Sequence, residues 1–102
     1  DMMIVRGVNV FPSQIEEYIL KIDTLSPHYQ CVLSKEKHMD VLTVRVECAP
    51  GVAPDSAAAQ QAAKELARNI KTFIGSSAKI DVLGEGGVER SQGKAKRVVD
   101  LR

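Results

Sequence analysis

Residues 29 to 48 repeat with a period of two, and that repeat constrains the fold more than any other feature of the chain. Tyr29, Cys31 and Leu33 fall on one side, with Gln30, Val32 and Ser34 between them. After the polar stretch Lys35-Glu36-Lys37-His38, Leu42, Val44, Val46 and Cys48 again share one side, and Thr43, Arg45 and Glu47 share the other. Successive side chains of a strand point to opposite faces. The stretch therefore predicts an antiparallel hairpin with one face covered.

The cover comes from segments with a helical period. Pro12-Ser13 opens the first, and Ser13 with Glu16 three residues later predicts a capping box. Ile15, Tyr18, Ile19 and Ile22 then form one apolar face. The second helix is predicted from about Asp55 to Ile74, after the breaker loop Pro50-Gly51-Val52-Ala53-Pro54. Its apolar stripe is Ala59, Ala62, Ala63, Leu66, Ile70, Phe73 and Ile74, and Gly75 ends it. Met2 to Val5 and Val8 to Phe11 read as short extended pieces, and Lys79 to Leu83 as a last strand. Gly84-Glu85-Gly86-Gly87 then breaks the chain and releases a basic Gly-Lys tail over residues 84–102. The order strand, helix, strand, strand, helix, strand predicts an α+β, ferredoxin-like βαββαβ domain over residues 1–102. Two helices pack on one face of a small, mostly antiparallel sheet. That architecture hosts many unrelated functions and settles none of them.

Composition narrows the classes. With no Trp, two Phe and two Tyr, the core must be mostly aliphatic. A net charge of +1 argues against a dedicated nucleic-acid binder. No apolar run approaches a membrane span, and the first residues do not resemble a signal peptide. Cys31 and Cys48 sit inside strand-like runs and read as buried apolar residues in a reducing compartment, here the cytoplasm. His28 and His38 are isolated, so no metal site is expected. The chain opens at Asp1 already in an apolar run, which suggests a piece of a longer polypeptide, with a processed or trimmed small protein as the alternative.

Two local motifs stand out. In residues 88–102, five cations (Arg90, Lys94, Lys96, Arg97 and Arg102) face two anions, Glu89 and Asp100. Gly93 directly precedes Lys94, but the position five before Gly93 is Val88 and Ala95 follows the lysine, so this is not a Walker-type phosphate loop. Charge counting reads these residues as solvated surface, with an anion site as the alternative. The second motif is Arg6-Gly7 between two strand-like pieces. A glycine there marks a hairpin turn or a close backbone approach, and Arg6 is a solvated charge or an anion ligand.

Taken together, the two motifs resemble one family. Asp1-Met2-Met3-Ile4-Val5-Arg6-Gly7-Val8-Asn9-Val10-Phe11-Pro12-Ser13-Gln14-Ile15-Glu16 looks like the start of the C-terminal domain of phenylacetate–coenzyme A ligases. Glu89-Arg90-Ser91-Gln92-Gly93-Lys94-Ala95-Lys96-Arg97 looks like that family's terminal lysine motif. These ligases are part of the acyl-adenylate-forming superfamily, and the resemblance spans the whole chain. The approach to Gly93 through Arg90-Ser91-Gln92 is one residue shorter than in many superfamily members, which fits the phenylacetate ligase branch.

The resemblance implies a mobile lid that closes over its own N-terminal adenylation domain and rotates between two half-reactions of phenylacetate catabolism. A small aryl acid attacks ATP to give an acyl-adenylate and pyrophosphate. Coenzyme A then displaces AMP. Lys94 corresponds to the catalytic lysine of the first half, with Gly93 and Arg90 beside it. Gly7 corresponds to the glycine that lines the coenzyme A tunnel in the second half, with Arg6 beside it. Asp1 lies at or just after the inter-domain hinge. Magnesium enters only with ATP, with no ligand from this chain. The isolated domain is expected to be inactive, with no nucleic-acid or membrane partner. Two readings from other classes stand beside this one. The first is a free-standing ferredoxin-like regulatory or ligand-binding module. The second is RNA binding through the sheet, for which Tyr29 is the only aromatic on the alternating strands.

Overall fold

The structure, a computed structural model, describes residues 2–88 and 97–102. Asp1, Arg90, Gly93 and Lys94 lie outside the described residues. The chain runs β1 (Met3–Val5), β2 (Val8–Val10), α1 (Pro12–Ile19), β3 (Leu25–Glu36), β4 (Met39–Cys48), α2 (Ala57–Asn69), a π-helical turn (Ile70–Ile74), β5 (Lys79–Leu83) and β6 (Val98–Asp100).

The expected hairpin is the centre of the fold. β3 and β4 pair antiparallel from Leu25↔Cys48 to Glu36↔Met39. The register sets Tyr29 opposite Val46, Cys31 opposite Val44 and Leu33 opposite Leu42, so the alternation of both strands feeds one face. Those six side chains are at most 2% exposed and pack on Ile15 and Ile19 of α1 and on Ala62, Leu66 and Ile70. The turn is shorter than the sequence suggests, because Lys35 and Glu36 remain in the ladder. Only Lys37 (φ 49°) and His38 (φ 70°) turn the chain, both left-handed as a two-residue hairpin requires. β3 also starts four residues earlier than expected, across a bulge between Leu25 and Tyr29. Pro27, which has no N–H to donate to the ladder, falls inside that bulge.

Both helices differ from expectation at their ends. Helix α1 is capped by Phe11 and Gln14 rather than by Ser13 and Glu16. Phe11 N–H donates to Gln14 Oε1 at 3.0 Å, and Gln14 N–H donates to the Phe11 carbonyl at 3.0 Å. Pro12 takes the first helical position, where its missing N–H costs nothing and its φ is already helical. Ser13 and Glu16 thereby fall within the helix. In α2, Ser56 caps the start by accepting from Ala59 N–H at 3.2 Å. The final turn widens to a π-helix, with Gly75 N–H bonded to Ile70 O at 3.0 Å and Gly75 left-handed at φ 88°. This widening carries Phe73 out of the predicted stripe. It is 65% exposed and stacks on Tyr18 at 5.6 Å between ring centres.

The α+β class and the two helices over one small sheet are as expected, and most of the pairing is antiparallel. Strand placement differs in detail. β1 and β2 form their own two-stranded ribbon, with Met3, Val5 and Val10 in the core. The main sheet has the order β5-β4-β3-β6. Its outer place beside β3 is filled by β6, running parallel with Cys31↔Val98 and Leu33↔Asp100. Residues 84–102 are therefore not wholly a released tail. Val88 is 4% exposed, and Val98–Asp100 are hydrogen-bonded sheet. Valines at 98 and 99 favour a pleated, half-buried site, a short signal easily lost among flanking cations.

Candidate functional site

The Arg6-Gly7 motif is the turn of the β1–β2 ribbon. Val5 pairs with Val8, leaving Arg6 (φ 48°) and Gly7 (φ 80°) as the two left-handed central residues. The hairpin-glycine reading is thus met on local grounds. A Cβ added at Gly7 would meet nothing within 4 Å, so the glycine is demanded by backbone conformation and its outer face is open.

The turn is bolted to the start of β4. Arg6 N–H donates to Asp40 Oδ2 at 3.2 Å, and Arg6 Nε donates to the Asp40 carbonyl at 2.9 Å. Arg6 is therefore tied inward through its guanidinium as well as its backbone. Arg102 reaches the same carboxylate with Nη1 at 3.2 Å and donates to Ile4 O of β1 at 2.8 Å. The amide of Arg6, and then the Arg102 guanidinium, hold the Asp40 carboxyl below its ordinary pKa. A hollow of about 220 Å³ opens between this turn and the end of the long helix, lined by Arg6, Val8, Lys71 and Ser77 among others.

The segment that carries Lys94 leaves the described fold at Val88 and rejoins it at Arg97. Both ends are anchored. At the first, Glu47 accepts from Gly86 N–H at 2.9 Å with Oε1 and from Val88 N–H at 3.0 Å with Oε2. Glu47 is 1% exposed. Its position on the face away from the helices agrees with the period-two pattern, but residues 84–88 cover that face at this point. A turn closed by Gly87 N–H to Gly84 O at 2.9 Å makes the covering geometry possible. A Cβ on Gly87 would sit 2.7 Å from Leu83 Cβ, so only glycine fits.

At the second end, the Arg97 guanidinium lies 4.2 Å from the centre of the Tyr29 ring. Its Nη1 donates to Tyr29 O at 3.1 Å, and its Nη2 is 3.7 Å from Glu16. Arg97 O accepts from Cys31 N–H at 2.7 Å and so begins the pairing of β6. Tyr29 donates its hydroxyl to Pro12 O at 3.2 Å. Burial first, then the nearby Glu16 charge, raises the Tyr29 pKa above its ordinary value. With its ring buried under Arg97, Tyr29 presents no open face for a nucleobase.

Cys31 joins the second cluster through its backbone amide, while both cysteine side chains belong to the interior. Both are buried free thiols. Burial pushes Cys31 up to about 12, partly offset by Arg97, and also raises Cys48. A buried thiol with a raised pKa is a poor nucleophile near neutral pH. Iodoacetamide is expected to leave both residues unmodified in the folded chain and to label both in denaturant, as read by intact mass. Rapid labelling of the native protein would contradict their burial.

Among the described residues, no group of three or more His, Cys, Asp or Glu could hold a metal ion. Among the described residues no helix is long and apolar enough to cross a membrane. The structure thus brings Arg6 and Gly7 together with Asp40 and Arg102, which the sequence did not mark as site residues. It also places Glu47 and Arg97 at the two ends of the lysine segment. A glutamate on the outer side of a strand carries no sign that a distant loop will cover it.

Residues 7–102 match the family described as the AMP-binding enzyme C-terminal domain. Over its full length the chain is 50% identical to the phenylacetate-coenzyme A ligase of Aromatoleum evansii and 44% identical to that of Escherichia coli K12. It spans about 24% of the length of each. A crystallised domain of phenylacetate-coenzyme A ligase from Bacteroides vulgatus is 33% identical, with a TM-score of 0.89 over 100% of this chain and 93% of that one. A 2-hydroxyisobutyryl-CoA ligase, solved with 2-HIB-AMP and CoA in its thioester-forming state, is 31% identical with a TM-score of 0.83. That match covers 98% of this chain and 21% of the ligase.

Proposed function

Because the chain belongs to the family of AMP-binding enzyme C-terminal domains, we propose that it is the mobile C-terminal domain of a phenylacetate–coenzyme A ligase. Its partner is an N-terminal adenylation domain of the same polypeptide, which holds ATP and the aryl acid. Magnesium accompanies the ATP phosphates, and the chemistry belongs to the cytoplasm. The full-chain match to ligases of one named activity favours this reading over a free-standing regulatory module.

The observation that carries it is the separation of the two motifs. The Arg6-Gly7 turn is fixed at Asp40, and the lysine segment begins at Glu47, seven residues further along one continuous strand. At strand rise those anchors stand about 23 Å apart. Segments anchored near different ends of one strand favour presenting each in its own pose. A domain that presents one end, rotates and presents the other can serve two successive reactions.

In the first pose Lys94 would approach the α-phosphate. The acid's carboxylate oxygen attacks that phosphorus, the bond to the bridging oxygen breaks, and pyrophosphate leaves. Negative charge concentrates on the phosphoryl oxygens, and the lysine ammonium stabilises it electrostatically. Gly93 allows close backbone approach, and Arg90 adds positive potential. In the second pose the Gly7 turn would line the path of the pantetheine arm. The thiol, losing its proton, attacks the acyl carbonyl and AMP leaves.

The full-length protein is expected to convert phenylacetate, ATP and coenzyme A into phenylacetyl-CoA, AMP and pyrophosphate in equal amounts. Chromatography of nucleotides and thioesters reads all three. The isolated chain is expected to do none of this. Release of ADP, or no thioester with any aryl-acetic acid, would overturn the reading.

A further inference from the structure

Strand β4 carries a carboxylate near each end, Asp40 and Glu47; Asp40 accepts from one backbone amide and Glu47 from two, each in a different candidate segment. Asp40 receives the Arg6 amide of the Gly7 turn, and the Arg6 side chain holds the Asp40 carbonyl. Glu47 receives Gly86 and Val88 with one oxygen each, at the entry to the lysine segment. The two residues differ by an odd number of positions, so they leave the strand on opposite faces. The ribbon covers one of them and residues 84–88 cover the other.

We infer that Asp40 and Glu47 are positioning residues that divide by half-reaction: Asp40 sets the Gly7 turn for thioester formation, and Glu47 sets the lysine segment for adenylation. The inference rests on the proposed ligase reading. Its physical basis is that a carboxylate aligns amides through charge-assisted bonds. An amide held by a side chain on a rigid strand inherits the rigidity of that strand. Glu47 is the stronger case, because it is buried and spans two amides separated by one residue. Asp40 is helped by Arg102, which ties Asp40 and Ile4 O together and so locks the ribbon against the sheet. Neither carboxylate is placed in contact with substrate, so each acts through the segment it holds.

The test uses the full-length enzyme and measures two half-reactions separately. Adenylation is read by phenylacetate-dependent pyrophosphate exchange, and thioester formation by coenzyme A consumption from supplied phenylacetyl-adenylate. Glu47→Ala should lower the first by roughly 10- to 100-fold, the scale of misplacing a catalytic group by about 1 Å. It should leave the second within about twofold of the parent protein. Asp40→Ala should show the reverse pattern. Glu47→Gln and Asp40→Asn each retain one acceptor oxygen and should recover part of the lost rate. The half-reaction that is spared reports that the domain is folded. If Glu47→Ala does not fold, Glu47→Gln carries the same test at smaller amplitude.

Equal loss in both half-reactions, or no loss in either, would overturn the positioning roles. The ligase reading has its own controls, Lys94→Ala and Gly7→Leu. If those two divide by half-reaction while Asp40 and Glu47 variants do not, the inference fails alone. If those two also fail to divide, the reading fails and takes the inference with it.

Discussion

Lys94→Ala in the full-length protein is expected to slow adenylation by roughly 10²–10³-fold, the scale of losing one preorganised electrostatic donor. The reason is charge. Carboxylate attack on the α-phosphate gathers negative charge that a lysine ammonium offsets at close range, and alanine leaves only solvent and the neighbouring cations. Thioester formation from supplied acyl-adenylate should be nearly unaffected, because in the proposed second pose the domain presents its other end. Thermal unfolding of the variant, measured alongside, separates a catalytic loss from a folding defect. Pyrophosphate exchange measures the first half and coenzyme A consumption the second. Near-normal exchange in the variant would remove Lys94 from its assigned role.

Gly7→Leu should give the complementary defect, a loss of about 10²-fold in thioester formation with adenylation retained. Two effects must be separated. A leucine at φ 80° carries a left-handed strain of roughly 1–2 kcal/mol, which appears in thermal unfolding. Within this chain the new side chain meets nothing within 4 Å at its Cβ, so no core is disturbed. Steric blockage therefore has to come from whatever approaches the turn from outside. Gly7→Ala supplies the comparison, because it carries the same backbone strain with a much smaller side chain. If alanine and leucine lose thioester formation equally, strain alone explains the defect. If leucine loses far more, the turn lines a narrow passage. Loss of adenylation with intact transfer would contradict the assignment.

Much of this fold was legible from short-range pattern. The period of two gave both central strands and their core face, since Tyr29, Cys31, Leu33, Leu42, Val44 and Val46 are all buried as the alternation requires. The period of 3.6 located both helices. It misplaced Phe73, because a π-turn changes the angular step that the pattern assumes. The capping motif moved to Phe11 and Gln14 because Pro12 at the first helical position fixes where the helix begins. Strand β6 escaped detection because three residues are too few for a period to register.

The functional motifs divide in the same way. Arg6-Gly7 and Gly93-Lys94 are contiguous, so their likeness to the family's motifs can be read from neighbouring residues, and the family follows from the matches over the chain. Their anchors cannot be read that way. Glu47 meets Val88 across 41 positions, Arg97 meets Tyr29 across 68, and Arg102 meets Ile4 across 98. Sequence alone therefore determined which segments resemble the family's motifs and which faces are buried, because both depend on local spacing. Only the tertiary structure decided that the Gly7 turn and the entry to the lysine segment are held at opposite ends of β4. That arrangement depends on hydrogen bonds that exist only after distant parts of the chain have packed on one sheet.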